Sequence, residues 1–129
     1  MGSMNTVLAV AFGGAVGAVA RYLTVSAVGL WFGTAFPYGT LTVNVLGSFV
    51  LGAIVELSAL VWSPSPELRA MLVIGVLGSF TTFSTFSLDT VTLYQRGDYA
   101  LCAAYIGASV ILSIFGLFAG MHAVRWGVG

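Results

Sequence analysis

Charged residues divide the chain into long apolar segments. Asp, Glu, Lys and Arg are absent from residues 1–20, 22–55, 70–88 and 99–124. A helix needs about 20 apolar residues to cross the hydrocarbon core of a bilayer. The pattern therefore predicts an all-α membrane protein whose two termini lie on the same side. Its four predicted transmembrane helices are about 5–30, 39–62, 67–94 and 99–126.

Turn-forming residues mark the boundaries between these helices. The segment 31–38 contains Gly33, Pro37 and aromatic residues, which favour the headgroup level of a membrane. Ser63-Pro64-Ser65-Pro66 ends the second helix, and Gln95-Arg96-Gly97-Asp98 ends the third. Residues 1–4 are interpreted as an expression remnant ahead of a second start. We therefore expect a single four-helix domain over 5–129.

The third helix carries an unusual sequence near its middle. Residues 78–82 read Gly-Ser-Phe-Thr-Thr, where a lipid-facing helix would have Leu and Val. Irregular backbone at membrane depth is tolerated only where it is buried in protein or lines a wet cavity. The sequence therefore predicts a helix that is broken at about 78–82.

Composition supports a membrane protein and excludes several other classes. Hydrophobic residues make up 59% of the 129 residues and charged residues 6%, with a mean hydropathy of +1.06. A soluble domain has about 25% charged residues, so an ordinary soluble globule, a disordered tail and a nucleic-acid binder are excluded. With Cys102 as the one cysteine and His122 as the one histidine, neither a cysteine-cluster nor a His/Cys metal site can form. No nucleophile–base pair or paired carboxylate can be assembled, which indicates that the protein is not an enzyme.

Arginine placement bears on orientation in the membrane. Arg69 and Arg125 fall on one side of the predicted bundle, Arg96 on the other, and Arg21 inside the first helix. A fixed orientation needs a clear Lys/Arg asymmetry between the two sides. The near balance predicts insertion in both orientations and pairing of two copies into an antiparallel, dual-topology homodimer, with a two-fold axis in the membrane plane as in inverted-repeat transporters.

Two polar residues inside the first two helices each have two interpretations. Arg21 either extends toward the nearer interface or forms a fixed positive charge in an aqueous vestibule that attracts anions. The first helix has no acidic residue to neutralise it. Asn44 is either a hydrogen-bonding link between helices or a donor in a pore.

The densest polar signal is the segment 81–87, Thr-Thr-Phe-Ser-Thr-Phe-Ser. Phe83 and Phe86 are three residues apart and share a helix face, with Thr82 among the hydroxyl residues around them. An aromatic pair at this spacing is commonly ordinary core. Ring edges are also the positive end of the aromatic quadrupole, so two rings presented edge-on can coordinate an anion.

A second polar stripe lies on the fourth helix. Tyr105, Ser109 and Ser113 recur at intervals of four. Serines in such positions either bond back to a carbonyl of their own helix or form a row of donors. Two carboxylates complete the inventory. We expect Glu56 to reach the interface and Asp89 to pair with an arginine near a helix end.

These motifs together resemble the Fluc (CrcB) family of fluoride channels over the whole chain. The most specific element is the segment 81–87 inside a four-helix protein. The residues that carry the resemblance are Gly17 with Arg21, Pro37-x-Gly39-Thr40 with Asn44, Gly75-x-x-Gly78 leading into 81–87, and the stripe Tyr105, Ser109 and Ser113.

The resemblance implies passive export of fluoride across a bacterial inner membrane, through two pores per antiparallel homodimer. It implies that Phe83 and Phe86 form an aromatic box beside the ion and that Arg21 is a vestibule charge. It also implies a structural sodium ion at the dimer centre, held by backbone carbonyls of Gly78 and Thr81. The remaining implied permeation residues are Asn44, Thr82, Tyr105, Ser109 and Ser113.

Two positions depart from the family pattern, and two other functions remain open. Ser79 replaces a usual Gly, and Asp89 replaces a common Glu, which puts a salt bridge there in doubt.

A proton-coupled efflux transporter of the small multidrug type would need a membrane-embedded carboxylate, and Glu56 lies late in its helix for that role. A non-conducting assembly subunit would leave the polar stripe unexplained.

Overall fold

The four predicted spans are present as helices. The computed structural model of the chain describes residues 3–129. Its spans are α1 (Met4–Phe32), α2 (Tyr38–Leu60), a composite third span (Pro66–Gln95) and α6 (Tyr99–Val128). Each is long and apolar enough to cross a membrane. Every predicted boundary lies within two residues of the observed one.

Local side-chain chemistry fixes several helix ends. The Ser3 hydroxyl accepts a hydrogen bond from the Thr6 amide at 3.2 Å and caps α1. Ser65 caps the start of the third span in the same way and is followed by Pro66, whose fixed φ suits the first turn. Gly33, directly after α1, has a φ of 81°, a left-handed conformation that favours glycine.

The third span changes helix type along its length. It begins as α3 (Pro66–Arg69), continues as a π-helix (Ala70–Leu77) and then as the short α4 (Gly78–Phe80), and resumes as α5 (Phe83–Gln95). Thr81 and Thr82 have extended backbone, with ψ of 159° and 119°. The interruption thus falls within the predicted interval 78–82 but is confined to the two threonines, because residues 78–80 remain helical.

Glycines allow the helices to pack backbone against backbone. A Cβ at Gly52 of α2 would overlap the Leu117 carbonyl of α6, and one at Gly120 would overlap the Phe49 carbonyl. Gly17 of α1 approaches the Val76 backbone of the π-helix equally closely. In lipid, where apolar burial gives little driving force, such close approach supplies the packing energy.

The interior of the chain is small, as expected for helices surrounded by lipid. Among the described residues only three large side chains are fully buried, namely Val43, Leu93 and Tyr105. Large apolar side chains are exposed along all four spans. The buried polar residues, Thr40, Glu56 and Ser109, are therefore unusual and mark places where function or specific pairing is built.

Candidate functional site

An open groove with a volume of about 450 Å³ lies between α2, the third span and α6. It brings together eight of the ten residues to which the resemblance gives a permeation, vestibule or sodium-binding role. Its walls also include Ser48, which the sequence analysis missed although it lies one helical turn after Asn44 on the same face. The eight are Asn44, Gly78, Thr81, Thr82, Phe83, Phe86, Ser109 and Ser113.

Asn44 holds the interruption of the third span with both ends of its amide. Its Oδ1 accepts a hydrogen bond from the Thr82 N–H at 2.7 Å, and its Nδ2 donates to the Thr82 carbonyl at 3.1 Å. These bonds satisfy backbone groups that have no helical partner. Asn44 is therefore an interhelical link, and its NH₂ group keeps one further N–H that the two bonds do not use.

Thr82 starts the next helix. Its Oγ1 accepts a hydrogen bond from the Thr85 amide at 3.1 Å and caps α5. The Thr81 side chain contacts the preceding helix instead, because its Oγ1 donates to the Leu77 carbonyl at 2.9 Å. Adjacent threonines thus complete the helices on either side of the break.

The two phenylalanines are in contact but differ in environment. Their ring centroids are 5.5 Å apart with an interplanar angle of 44°, which confirms that the rings share a face. Phe83 is 79% exposed in the single chain, whereas Phe86 is half-buried. Phe86 packs on Tyr105 with a centroid distance of 5.2 Å. One ring is thus free at the groove and the other is anchored.

The hydroxyl stripe of α6 divides between the groove and the interior. Ser109 and Ser113 line the groove, and the Ser109 Oγ is buried without a hydrogen-bond partner in residues 3–129. The back-bond to its own helix, one of the two interpretations of this stripe, is therefore not made by Ser109. Tyr105 is fully buried beneath Phe86 and does not line the groove.

Both intramembrane carboxylates have partners that the sequence analysis did not predict. Asp89 does not pair with an arginine, because its Oδ2 accepts a hydrogen bond from the Tyr105 hydroxyl at 3.1 Å. Glu56 is buried against the last turn of α6. Its side chain is 4% exposed and forms a salt bridge with Arg125, at 2.7 Å between Oε2 and Nη2. The pairing follows from the parallel run of α2 and α6, in which Val45 faces Gly116 and Phe49 faces Gly120, so that the last turn of α6 lies beside the end of α2.

Arg21 lies outside the groove and contacts the third span from α1. Its Nε donates to the Ser79 carbonyl at 3.0 Å, and the residue is half-buried. Ser79 thus contributes a backbone acceptor, which a glycine at that position would also supply. The guanidinium brings a positive charge next to the break.

A cation at the break would have to use backbone oxygens. No three His, Cys, Asp or Glu side chains cluster anywhere between residues 3 and 129. Gly78 is exposed and Thr81 lines the groove. Carbonyl oxygens are suitable ligands for hard cations, so the donor set at Gly78 and Thr81 fits a sodium ion chemically.

Comparison with known proteins places the chain in a family. Residues 8–121 match the model of the family described as CrcB-like protein, Camphor Resistance (CrcB). The fluoride-specific ion channel FluC of Rhodospirillum centenum is 57% identical over 97% of this chain and 99% of its own length. The proteins of the same name from Cereibacter sphaeroides and Nitrobacter winogradskyi are 53% and 51% identical, over 95% and 92% of this chain and 96% and 94% of their own lengths.

These relatives are named as ion channels, which confirms the prediction that the chain is not an enzyme. Four apolar helices together with this kinship make it a multi-pass membrane protein. The match extends across both walls of the groove, from the Asn44 helix to the stripe on α6. The resemblance seen in the sequence is thus confirmed, and the chain belongs to the CrcB (FluC) family.

Proposed function

We propose that the protein is a fluoride-selective channel that passively exports fluoride from the cytoplasm. The observation that carries this proposal is the composition of the groove. It sets an exposed aromatic ring, an amide and three serine side chains within one apolar cleft. None of the described residues that line it is acidic or basic. Its relatives are named fluoride-specific ion channels.

Neutral donors suit a small anion that must enter and leave quickly. Conduction requires binding that replaces water and is still weak enough for release. The unpaired Ser109 hydroxyl, the spare N–H of Asn44 and the edge of Phe83 can each replace part of a hydration shell. A narrow path of this kind would exclude larger anions by size.

We further propose that two copies assemble as an antiparallel homodimer with two pores. The groove is open on one side, and the irregular backbone at Thr81 and Thr82 lies beside it. Such backbone is not exposed to lipid, so a second protein surface is expected to cover it. Arg69 and Arg125 at one end against Arg96 at the other leave orientation nearly balanced. The two-fold symmetry then gives two equivalent pores.

A structural sodium ion at the dimer centre is part of this proposal. The carbonyls of Gly78 and Thr81 would hold it, with the equivalent carbonyls of the second copy. The ion would bind backbone oxygens that have no hydrogen-bond donor in the membrane interior. Each such unsatisfied polar group otherwise costs several kcal/mol, roughly the cost of burying any unpaired polar group.

The direction of transport follows from acid–base chemistry and the membrane potential. Hydrogen fluoride crosses a bilayer as a neutral molecule and dissociates in a near-neutral cytoplasm. A passive path in the inner membrane then lets the potential expel the anion, because one charge is worth about 2.3 kcal/mol per 100 mV.

A proton-coupled efflux transporter requires a carboxylate that is free to exchange protons for a cationic substrate. Glu56 is bound by Arg125, and Asp89 accepts from Tyr105. Both membrane-embedded carboxylates are thus engaged, which favours a channel.

Reconstitution in liposomes tests the proposal. Fluoride loss is followed with an ion-selective electrode, and chloride loss is followed in parallel. We expect fluoride efflux without chloride efflux. Phe83→Ile and Asn44→Asp are expected to lower fluoride efflux by about tenfold or more, a barrier change of about 1.4 kcal/mol.

Phe12→Ile serves as the matched control, because Phe12 is exposed on α1 and does not line the groove. It is expected to leave fluoride efflux unchanged. Equal loss of both anions, or drug-dependent proton movement in place of fluoride efflux, would contradict the channel.

A further inference from the structure

Side chains at the break redirect the amide that would normally bond the Gly78 carbonyl. In a continuous α-helix the N–H of Thr82 would donate to the carbonyl four residues earlier, which is that of Gly78. Here it donates to Asn44 Oδ1 at 2.7 Å. The Gly78 carbonyl therefore loses its helical donor at a residue that is exposed in the single chain.

The Thr81 carbonyl loses its helical donor by a second, independent device. The N–H of Thr85 would donate to this carbonyl in a continuous helix. It donates instead to the Thr82 hydroxyl at 3.1 Å, as the cap of α5. Two different side chains thus release two carbonyls on the same short segment.

Two of the neighbouring carbonyls, those of Ser79 and Thr82, are occupied by side chains. The Ser79 carbonyl accepts from Arg21 Nε at 3.0 Å, and the Thr82 carbonyl accepts from Asn44 Nδ2 at 3.1 Å. Side-chain bonds therefore satisfy the carbonyls of residues 79 and 82 and withdraw donors from those of residues 78 and 81. Free carbonyls in hydrocarbon are costly, so this pattern is expected to persist only where a ligand compensates it.

We propose that Asn44 and Thr82 are positioning residues for a cation, releasing the Gly78 and Thr81 carbonyls to bind it. Asn44 also lines the groove, so one amide connects the cation site to the anion path. The inference rests on the cation site of the proposed function and is independent of fluoride permeation.

Two matched pairs of variants test the positioning role. Asn44→Asp keeps a carboxylate oxygen that accepts from the Thr82 N–H, whereas Asn44→Leu removes the acceptor at similar volume. Thr82→Ser keeps the capping hydroxyl, whereas Thr82→Val removes it at nearly the same shape. Thr92→Val is the remote control, because the Thr92 hydroxyl bonds only within α5, to the Leu88 carbonyl.

The readout is the sodium dependence of the thermal unfolding midpoint of the purified protein in detergent. Sodium chloride is titrated against N-methylglucamine chloride at constant ionic strength. A ligand that binds only the folded state stabilises it by RT ln(1 + L/Kd), where L is the ligand concentration, so the midpoint begins to rise when that concentration approaches Kd. We expect the sodium Kd fitted from this rise to increase by about tenfold or more in Asn44→Leu and Thr82→Val, equivalent to about 1.4 kcal/mol of binding.

The conservative partners, Asn44→Asp and Thr82→Ser, are expected to retain the sodium response, as is Thr92→Val. Asn44→Asp is informative because it is expected to lose fluoride efflux while sodium still stabilises it. If Asn44→Leu does not fold, the Thr82 pair decides the question alone.

The inference is overturned if sodium does not stabilise the unmodified protein, or if the Leu and Val variants respond at the same concentration as that protein. Absence of fluoride efflux from a protein whose sodium response follows the expected pattern would contradict the channel and leave the positioning role standing.

Discussion

The guanidinium of Arg125 holds the carboxylate of Glu56 inside the bundle. Nη2 and Nε lie 2.7 and 2.8 Å from the same carboxylate oxygen, Oε2. The Glu56 side chain is 4% exposed, whereas that of Arg125 is 59% exposed. The partners are therefore unequal. An unpaired Arg125 can turn to water, but an unpaired Glu56 carboxylate stays buried among apolar helices.

We predict that Arg125→Gln destabilises the protein more than Glu56→Gln does. Leaving a buried acceptor unpaired costs about 1–3 kcal/mol, and more for a charged group. The double variant is expected to recover part of the loss, because no charge is then left buried. Denaturant unfolding in mixed micelles measures the three free energies of unfolding. Equal losses in the two single variants would contradict this account.

The close contact of α2 with α6 gives a second prediction. A methyl group at Gly52 would overlap the Leu117 carbonyl, and backbone cannot rotate away as a side chain can. Gly52→Ala is therefore expected to lower the free energy of unfolding by about 1–3 kcal/mol, the usual cost of overpacking. Gly127→Ala on α6 is the control, since a Cβ there meets nothing within 4 Å. A neutral Gly52→Ala would show that the helices pack less closely.

The spans and the interruption were predictable because the membrane imposes simple rules on a sequence. Charge-free runs of about 20 residues identify spanning helices, and the Gly-Ser-Phe-Thr-Thr segment located the break to within a few residues. Spacing of three and four predicted a shared face for Phe83 with Phe86 and for Ser109 with Ser113, whereas the family resemblance supplied the other groove residues. Ser48 shows the limit of this reasoning. It lies four residues after Asn44 and lines the same groove, but the sequence analysis did not identify it.

The pairings between helices were not predictable from spacing. Glu56 with Arg125 and Asp89 with Tyr105 join residues that are 69 and 16 positions apart. The choice of neighbouring helix depends on contacts between helices, such as Gly52 with Leu117. The sequence pattern of one helix does not show which helix it packs against. Likewise, spacing predicted that Tyr105 continues the stripe of Ser109 and Ser113. Instead, Tyr105 is buried against the Phe86 ring, and its hydroxyl donates to Asp89.

Tyr105 supports the anchored ring, and this gives a third prediction. Its ring packs against Phe86 at 5.2 Å and edge-on against Phe36 at 5.5 Å, with an interplanar angle of 88°. Tyr105→Phe keeps both contacts and loses one hydrogen bond to the Asp89 carboxylate, a cost of about 1.5–3 kcal/mol.

Tyr105→Ala also leaves a cavity under Phe86, at a further cost that brings the loss to about 3–5 kcal/mol. We expect fluoride efflux to fall in both variants, and further in Tyr105→Ala because Phe86 loses its support. Liposome efflux and unfolding of the same preparations measure the two effects. Efflux that is the same in both variants would argue against a supporting role for the Tyr105 ring.

Substitutions of Arg21 show whether its positive charge, which lies beside the break, attracts the anion. Arg21→Gln removes the charge, and Arg21→Lys keeps it while losing the planar guanidinium that donates to the Ser79 carbonyl. If the charge matters through space, its effect is screened by salt, since the Debye length falls from about 30 Å at 0.01 M to about 3 Å at 1 M ionic strength. We expect Arg21→Gln to lower fluoride efflux strongly at low ionic strength and weakly at high ionic strength, and Arg21→Lys to retain efflux at both. A loss that is the same at both ionic strengths and is shared by Arg21→Lys would assign Arg21 to the Ser79 contact alone.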